Sequence, residues 1–313
     1  MIDISYFDGG LKRGNIRDLN KLKNIQLWLD ITDITQAERK TIQETFGLHP
    51  LTTEDLFNAN VRIKVEDFPS YLFCVFYGIQ KTKTIELTEI DYILGKNFLI
   101  TNHKKEIESY TTLKNNKEKL ENLFKKGNEF LFHALLDSEM DNYFPVLEKI
   151  DDLIENLEEE VTKSPRAELL SKILNLKRQI VTIKKITLPQ REKISFLTKT
   201  EHKFISKKAL PYFRDIYDHS IRVSDTIDNY REAVGNTFDA YMSAVSNNMN
   251  EVMKVLSMIA TIALPLTVIS GIYGTNFSNL PGSSAQYGFE VMMIVMLAIA
   301  ITMLLFFKKR KWF

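Results

Sequence analysis

The residues whose types and spacing most clearly suggest chemistry lie between Asp239 and Gly274. Positions 239, 246, 253, 260, 267 and 274 repeat by seven, and 243, 250, 257, 264 and 271 interleave with them. They read Asp239, Ser243, Ser246, Asn250, Met253, Ser257, Ala260, Leu264, Thr267, Gly271 and Gly274. Such spacing lines one face of a helix. The face is small or weakly polar, whereas a stripe facing lipid is rich in Leu, Ile and Val. Two readings stand. Small residues let membrane helices approach closely, which makes the stripe a helix–helix seam. Alternatively, several copies bring their stripes together and enclose a pore. Met253, Leu264 and Leu256, one position off the stripe, are then apolar constrictions that close by dewetting; simple helix packing is their other reading.

Other reactive side chains are less informative. The five histidines, His49, His103, His133, His202 and His219, fall at no metal-ligand spacing and are read as structural. Cys74 sits alone in an apolar run, Leu72 to Phe76, which fits a buried strand in a reducing compartment and excludes a disulfide framework. Glu158 to Glu160 read as a solvated face. No phosphate-binding loop occurs, so ATP coupling is unsupported and no enzyme is expected.

The elements that position the stripe follow from charge and hydropathy. The chain carries 41 Lys and Arg against 40 Asp and Glu, a balance that argues against a nucleic-acid partner. Beyond Lys254 the only charges are Glu290 and Lys308, Lys309, Arg310 and Lys311. Val255–Tyr273 and Val291–Phe307 are free of charge, each close to the roughly 20 residues that cross a bilayer. The four closing bases and Trp312 place the C-terminus in the cytosol by the positive-inside rule, and two spans return the N-terminus to the same side. Met1 to Gly10 is mixed in polarity and reads as no signal segment.

Upstream, Ile25–Ile31, Tyr71–Gln80, Ile85–Leu94 and Asn97–Thr101 are β-like, with Gly95-Lys96 as a hairpin turn. Thr35–Phe46 is helical, with Thr35 and Glu38 forming a capping box and Gly47 ending it. Asn128–Lys163 reads as one long acidic helix that Pro145 bends, and a more basic helix follows Ser164-Pro165. From Tyr212 to Tyr273 a helical pattern runs for about 60 residues, or about 90 Å, far more than a bilayer needs. The expected organisation is an α/β domain over 1–127, a helical region over 128–211 and the cytosolic part of a stalk over 212–254. The first span is 255–273, an external loop 274–290, the second span 291–307 and a basic tail 308–313.

The run Gly271-Ile272-Tyr273-Gly274-Thr275-Asn276-Phe277, with Ala263-Leu264-Pro265-Leu266-Thr267 before it and Lys308 to Phe313 at the end, resembles the CorA family of magnesium and cobalt transporters. The likeness extends through Tyr241–Leu256, Tyr212–His219, Tyr143–Glu148 and Ile93–Phe98. It implies an α+β cytosolic domain of α/β sandwich type, a stalk helix and two C-terminal spans in a funnel-shaped homopentamer of the cell (inner) membrane. The first span would line the pore. In lipid, the assembly would pass hydrated Mg²⁺, also Co²⁺ or Ni²⁺, down the electrochemical gradient. Gly274, Thr275 and Asn276 would form the outer ion-binding mouth, because a neutral amide oxygen accepts hydrogen bonds from metal-bound water. On its own residues, Asn276 also reads as a helix C-terminal turn residue after Gly274.

Asn250, Met253, Leu256, Ala260, Leu264, Thr267 and Gly271 would line the pore, with Asp239 at its cytosolic mouth. Asp215 matches a family position that binds regulatory divalent ions, Mg²⁺ among them. Its partner acid would come from Phe76 to Ile85, where this chain has none. The family signature is Gly-Met-Asn, whereas Thr275 stands here in place of the methionine, and the loop from Phe277 to Phe289 is uncharged. Those departures leave a Zn²⁺-selective relative and a non-conducting membrane-anchored sensor as alternatives.

Overall fold

The computed structural model describes residues 1–58, 61–81, 85–277, 280–282 and 285–312. The chain divides into two units, 1–160 with 166–238 and 161–165 with 239–313.

The first unit is built on a seven-stranded sheet of β1 (Ile2–Phe7), β2 (Leu11–Gly14), β3 (Gln26–Thr32), β4 (Lys64–Asp67), β5 (Tyr71–Lys81), β6 (Ile85–Gly95) and β7 (Phe98–His103). The order is β2-β1-β3-β7-β6-β5-β4; β3 and β7 pair in parallel and the other neighbours are antiparallel. Strand alternation sorts side chains into two layers. Leu27, Leu29 and Ile31 of β3 join a core with Leu19 and Leu22 of α1 (Leu19–Leu22), Ile42 and Phe46 of α2 (Gln36–Phe46), and Leu56 after α3 (Pro50–Asp55). Trp28 of the same strand meets Tyr110 of α4 (Glu108–Asn115) edge-on, with ring centroids 5.8 Å apart. On this second face α5 (Lys117–Lys126) and α6 (Asn128–Asp141) complete the layer, and Tyr92 packs on Phe132 at 5.1 Å. The sandwich is therefore helix, sheet, helix.

Helix α2 starts and stops as its sequence dictates. The Thr35 hydroxyl accepts from the Glu38 amide, the Glu38 carboxylate accepts from the Thr35 amide, and Gly47 closes the helix with φ of 62°. The expected turn at Gly95-Lys96 shifts by one residue: Gly95 is still in β6, paired with Tyr71, and the turn is Lys96-Asn97. Glycine stands there because a Cβ would overlap the Phe98 ring, which packs on Phe46 at 4.5 Å. Gly95→Ala must displace that ring. It is expected to cost about 1–3 kcal/mol, read as a lower thermal midpoint of the full-length protein in detergent.

The acidic helix expected over Asn128–Lys163 is two helices. Helix α6 ends at Asp141, and α7 (Tyr143–Lys163) restarts after Asn142. Pro145 has no N–H for the Asp141 carbonyl and its ring crowds it, so the break falls before the proline rather than at it. Helix α8 (Ala167–Lys199) then packs back on the sheet. Gln190 donates to the Tyr77 carbonyl and accepts from the Tyr77 amide at 2.9 Å. That clips β5 where the four-residue β4 no longer covers its edge, the kind of protection an exposed strand needs. Helix α9 (Leu210–Tyr273) begins in this unit, with Phe213 against Phe132 at 5.5 Å.

The second unit contains the rest of α9 and α10 (Gly288–Lys309). Both helices are long and apolar enough to cross a membrane. At the end of α10 the Trp312 ring stacks on Phe307 at 5.2 Å, and the Lys254 ammonium lies 6.0 Å from its face.

Candidate ion pathway and metal centre

Helix α9 has two distinct faces in the second unit. Met258 is buried and Ile262, Pro265, Leu266 and Ile269 are half-buried, as are Met292, Met296, Ile299, Ala300 and Met303 of α10. At about 100° per residue those α9 positions lie roughly opposite the small-residue stripe. Every stripe residue is exposed: Asp239, Ser243, Ser246, Asn250, Met253, Ser257, Ala260, Leu264, Thr267, Gly271 and Gly274. Leu264 is 67% exposed and the neighbouring Leu256 59%. The stripe is thus not the seam between the two helices of this chain.

Local chemistry on the stripe favours acceptors. The Thr267 hydroxyl donates to the Ala263 carbonyl at 2.9 Å, so its proton is spent on the helix and its remaining lone pairs face outward. At the outer end the Gly274 amide donates to the Ser270 carbonyl at 2.8 Å, and the Thr275 hydroxyl to the Ile272 carbonyl at 2.7 Å. Thr275 therefore closes the last turn, its amide at 3.3 Å and its hydroxyl both donating to the Ile272 carbonyl. The Tyr273 hydroxyl donates to the Pro281 carbonyl at 3.1 Å and ties the loop back to the helix.

Asn276 follows the turn at Gly274 that ends α9, and neither residue has positive φ. Its side chain is exposed and makes no hydrogen bond among the described residues. The uncharged loop includes Ser278, Asn279, Ser283 and Ser284, which lie outside the described residues.

A second constellation lies in the first unit. Asp137 and Asp141, one turn apart on α6, meet His219 of α9 with one ligand atom from each within 4.8 Å of the others. His219 Nδ1 is 3.5 Å from Asp141 Oδ1 and 3.9 Å from Asp137 Oδ1. Asp137 Oδ1, His219 Nδ1 and His133 Nε2 are buried atoms without hydrogen-bond partners. Burial pushes the Asp137 carboxyl above its usual range, with His133 and His219 opposing and the charges of Asp141 and Asp215 adding to the shift. Burial also pushes the His133 imidazole down, against the fields of Asp137 and Asp215. Two carboxylates and an imidazole suit Co²⁺, Ni²⁺ or Zn²⁺ as a ligand set, and the two carboxylates alone suit hydrated Mg²⁺.

This group sets His219 apart from the other histidines, all five of which the sequence reads as structural. His103 and His202 are held by Asp30 and Asp67, and His49 accepts from the Leu51 amide. His219 instead faces two acids. Asp215, the regulatory residue expected from the sequence, is exposed on α9 one turn before His219 and lies within the electrostatic reach of the group. The stretch expected to supply its partner contributes no acid from Phe76 to Lys81; Thr82, Lys83 and Thr84 lie outside the described residues. The signal that could have found the centre is the paired spacing of four, Asp137 with Asp141 and Asp215 with His219, which sequence reading treats as ordinary helix surface.

An α/β domain followed by a long helix and a second apolar helix, both able to cross a membrane, is the architecture of a multi-pass membrane protein. A family model described as CorA-like Mg2+ transporter protein matches residues 24–309. The cobalt/magnesium transport protein CorA of Thermotoga maritima is 40% identical over 290 residues, covering 91% of this chain and 83% of the relative. The namesake of Methanocaldococcus jannaschii is 24% identical, covering 97% of both. Its complete structure, a CorA magnesium transporter, superimposes with a TM-score of 0.86 at 22% identity, over 100% of this chain and 99% of that one. The chain belongs to the CorA family.

Proposed function

We propose that this chain assembles as a homopentamer whose α9 stripes line a channel for hydrated divalent cations, Mg²⁺ first, with Co²⁺ and Ni²⁺ also carried. The observation that carries this reading is the continuous exposed stripe opposite the α10-facing side, in a chain of this family. Gly274, Thr275 and Asn276 form the outer mouth. Mg²⁺ sheds its water reluctantly and holds it at about 2.0–2.1 Å, so a ring of neutral oxygens that grips the whole aquo ion avoids the dehydration cost. Thr267 and Asn250 offer further rings of oxygen. Leu264, Leu256 and Met253 are the dewetting constrictions, Ala260 and Gly271 keep the path open, and Asp239 concentrates cations at the cytosolic mouth. The membrane potential supplies about 4.6 kcal/mol per 100 mV for a doubly charged ion.

Regulation belongs to Asp215 together with Asp137, Asp141 and His219. A divalent ion bound there stabilises the closed assembly, so entering Mg²⁺ shuts its own path. The test is uptake into proteoliposomes of Mg²⁺, Co²⁺, Ni²⁺ and Zn²⁺, with and without cobalt hexaammine. We expect Mg²⁺ flux, blocked by the inert complex because it mimics the aquo ion. Flux without block would mean inner-sphere binding at the mouth. Flux of Zn²⁺ alone would make this a zinc-selective member, and none at all would leave a membrane-anchored sensor.

A further inference from the structure

The first unit holds a second polar site that neither the ion pathway nor the Asp137 group uses. It is a cavity of about 180 Å³ lined by Tyr77, Glu89, Asp91, Asn102 and His103, among others. Asp91 of β6 and Asn102 of β7 stand directly opposite one another across the two strands. Asp91 is 3% exposed and Asn102 7%. Asn102 spends its Nδ2 on Asp91 Oδ2 at 2.7 Å and on the Leu56 carbonyl at 3.0 Å. Two oxygens are left over, Asp91 Oδ1 and Asn102 Oδ1, both buried and both without a donor among the described residues. Buried polar atoms are nearly always satisfied, and an unpaired carboxylate oxygen and an unpaired amide oxygen on residues lining one cavity call for something positive or protic.

Several of the surrounding donors are committed elsewhere. Lys64 is bound to Asp55 and Glu66, Lys105 to Glu86, and His103 to Asp30 and the Lys105 carbonyl. The Tyr77 hydroxyl serves Glu89 and the Val61 carbonyl. Lys104, at the cavity mouth, is exposed and donates to neither oxygen. Burial pushes the Asp91 carboxyl well above the usual carboxylate range; the Asn102 hydrogen bond and Lys64 oppose the shift, and the charges of Glu89 and Asp55 add to it.

We propose that Asp91 and Asn102 bind a small hydrated divalent cation of the Mg²⁺ type, a site within the sheet domain that is separate from both the pore and the Asp137 group. The donors are all oxygen, the preference of hard cations. Mg²⁺ is usually held by one or two protein oxygens and keeps several waters, and the cavity has the volume of about six waters. The inference does not depend on the chain being a channel.

Mn²⁺ is a suitable probe, counted by electron paramagnetic resonance on the full-length protein in detergent. Asp91→Asn, which keeps the shape and removes the charge, is expected to bind one Mn²⁺ fewer per chain. Asn102→Asp adds a carboxylate to the same cavity and is expected to tighten that one ion at least about tenfold. A count unchanged in Asp91→Asn, with no tightening in Asn102→Asp, would overturn the proposal and leave a proton or a water as the occupant. Should either variant misfold, the wild type decides. Mg²⁺ should slow amide exchange at Ile90–Leu94 and Leu99–His103 several-fold more than in β1 and β2, and equal slowing would overturn the site.

Discussion

Asn276→Ala is expected to lower divalent uptake at least about 100-fold while the oligomer stays assembled. The magnitude follows from what the amide does. In the proposed pentamer each Asn276 contributes one neutral acceptor to metal-bound water, and a single hydrogen bond is worth roughly 0.5–1.5 kcal/mol net. Five lost together weaken capture by several kcal/mol, and each 1.4 kcal/mol is about tenfold. Assembly survives because Asn276 makes no hydrogen bond among the described residues and has ordinary backbone geometry, so alanine fits without strain. The last turn of α9 keeps its own cap through Thr275. Proteoliposome uptake measured beside native mass spectrometry separates the two effects. Undiminished uptake by an intact pentamer removes Asn276 from the mechanism, and a broken oligomer makes its role structural.

Asp137→Asn is the second large effect. It is expected to raise the cytosolic Mg²⁺ concentration that half-inhibits flux by about 5–150-fold, the usual range of a coupling free energy between sites. Asp137 sits half-buried beside Asp141 and His219, with one oxygen lacking any hydrogen-bond partner, so a bound cation relieves both the unpaired oxygen and the crowding of like charge. In the proposed mechanism, preferential binding to the closed assembly is what would make that cation inhibitory. The amide variant removes the charge, keeps the packing and leaves the stripe and the mouth in the other unit untouched. Flux at low Mg²⁺ and the order of ions carried should therefore stay as in the wild type. Asp215→Asn should shift inhibition in the same direction through its field on the group. Patch currents titrated with cytosolic Mg²⁺ provide the measurement. Superimposable inhibition curves for both variants would move the sensor away from α6 and α9.

Much of this was legible in the chain because the physics that writes it is local. The capping box at Thr35 and Glu38, the Gly47 stop and the apolar runs of β3, β5, β6 and β7 each carry their structure within a few residues. The charge-free spans and the seven-residue repeat before Gly274 are just as local. Other elements left no such trace. Strand β4, Lys64–Asp67, is a short edge strand of mostly polar residues, defined by its backbone pairing with β5. Strands β1 and β2 are short pieces of mixed polarity that complete the sheet beside β3.

What the sequence alone determined is the membrane hairpin, the stalk, the central strands and the polar stripe, because periodicity and hydropathy act over neighbouring residues. Tertiary structure decided which side of α9 faces α10, since a stripe cannot name its own partner. It also decided that His219 joins Asp137 and Asp141, more than 75 positions earlier in the chain, and that Asp91 and Asn102 share one cavity. Those groups meet only where α6 crosses α9 and where β6 lies against β7, and burial there raises the Asp137 and Asp91 carboxyls. No spacing along the chain encodes that, because burial and opposing fields belong to the packed fold.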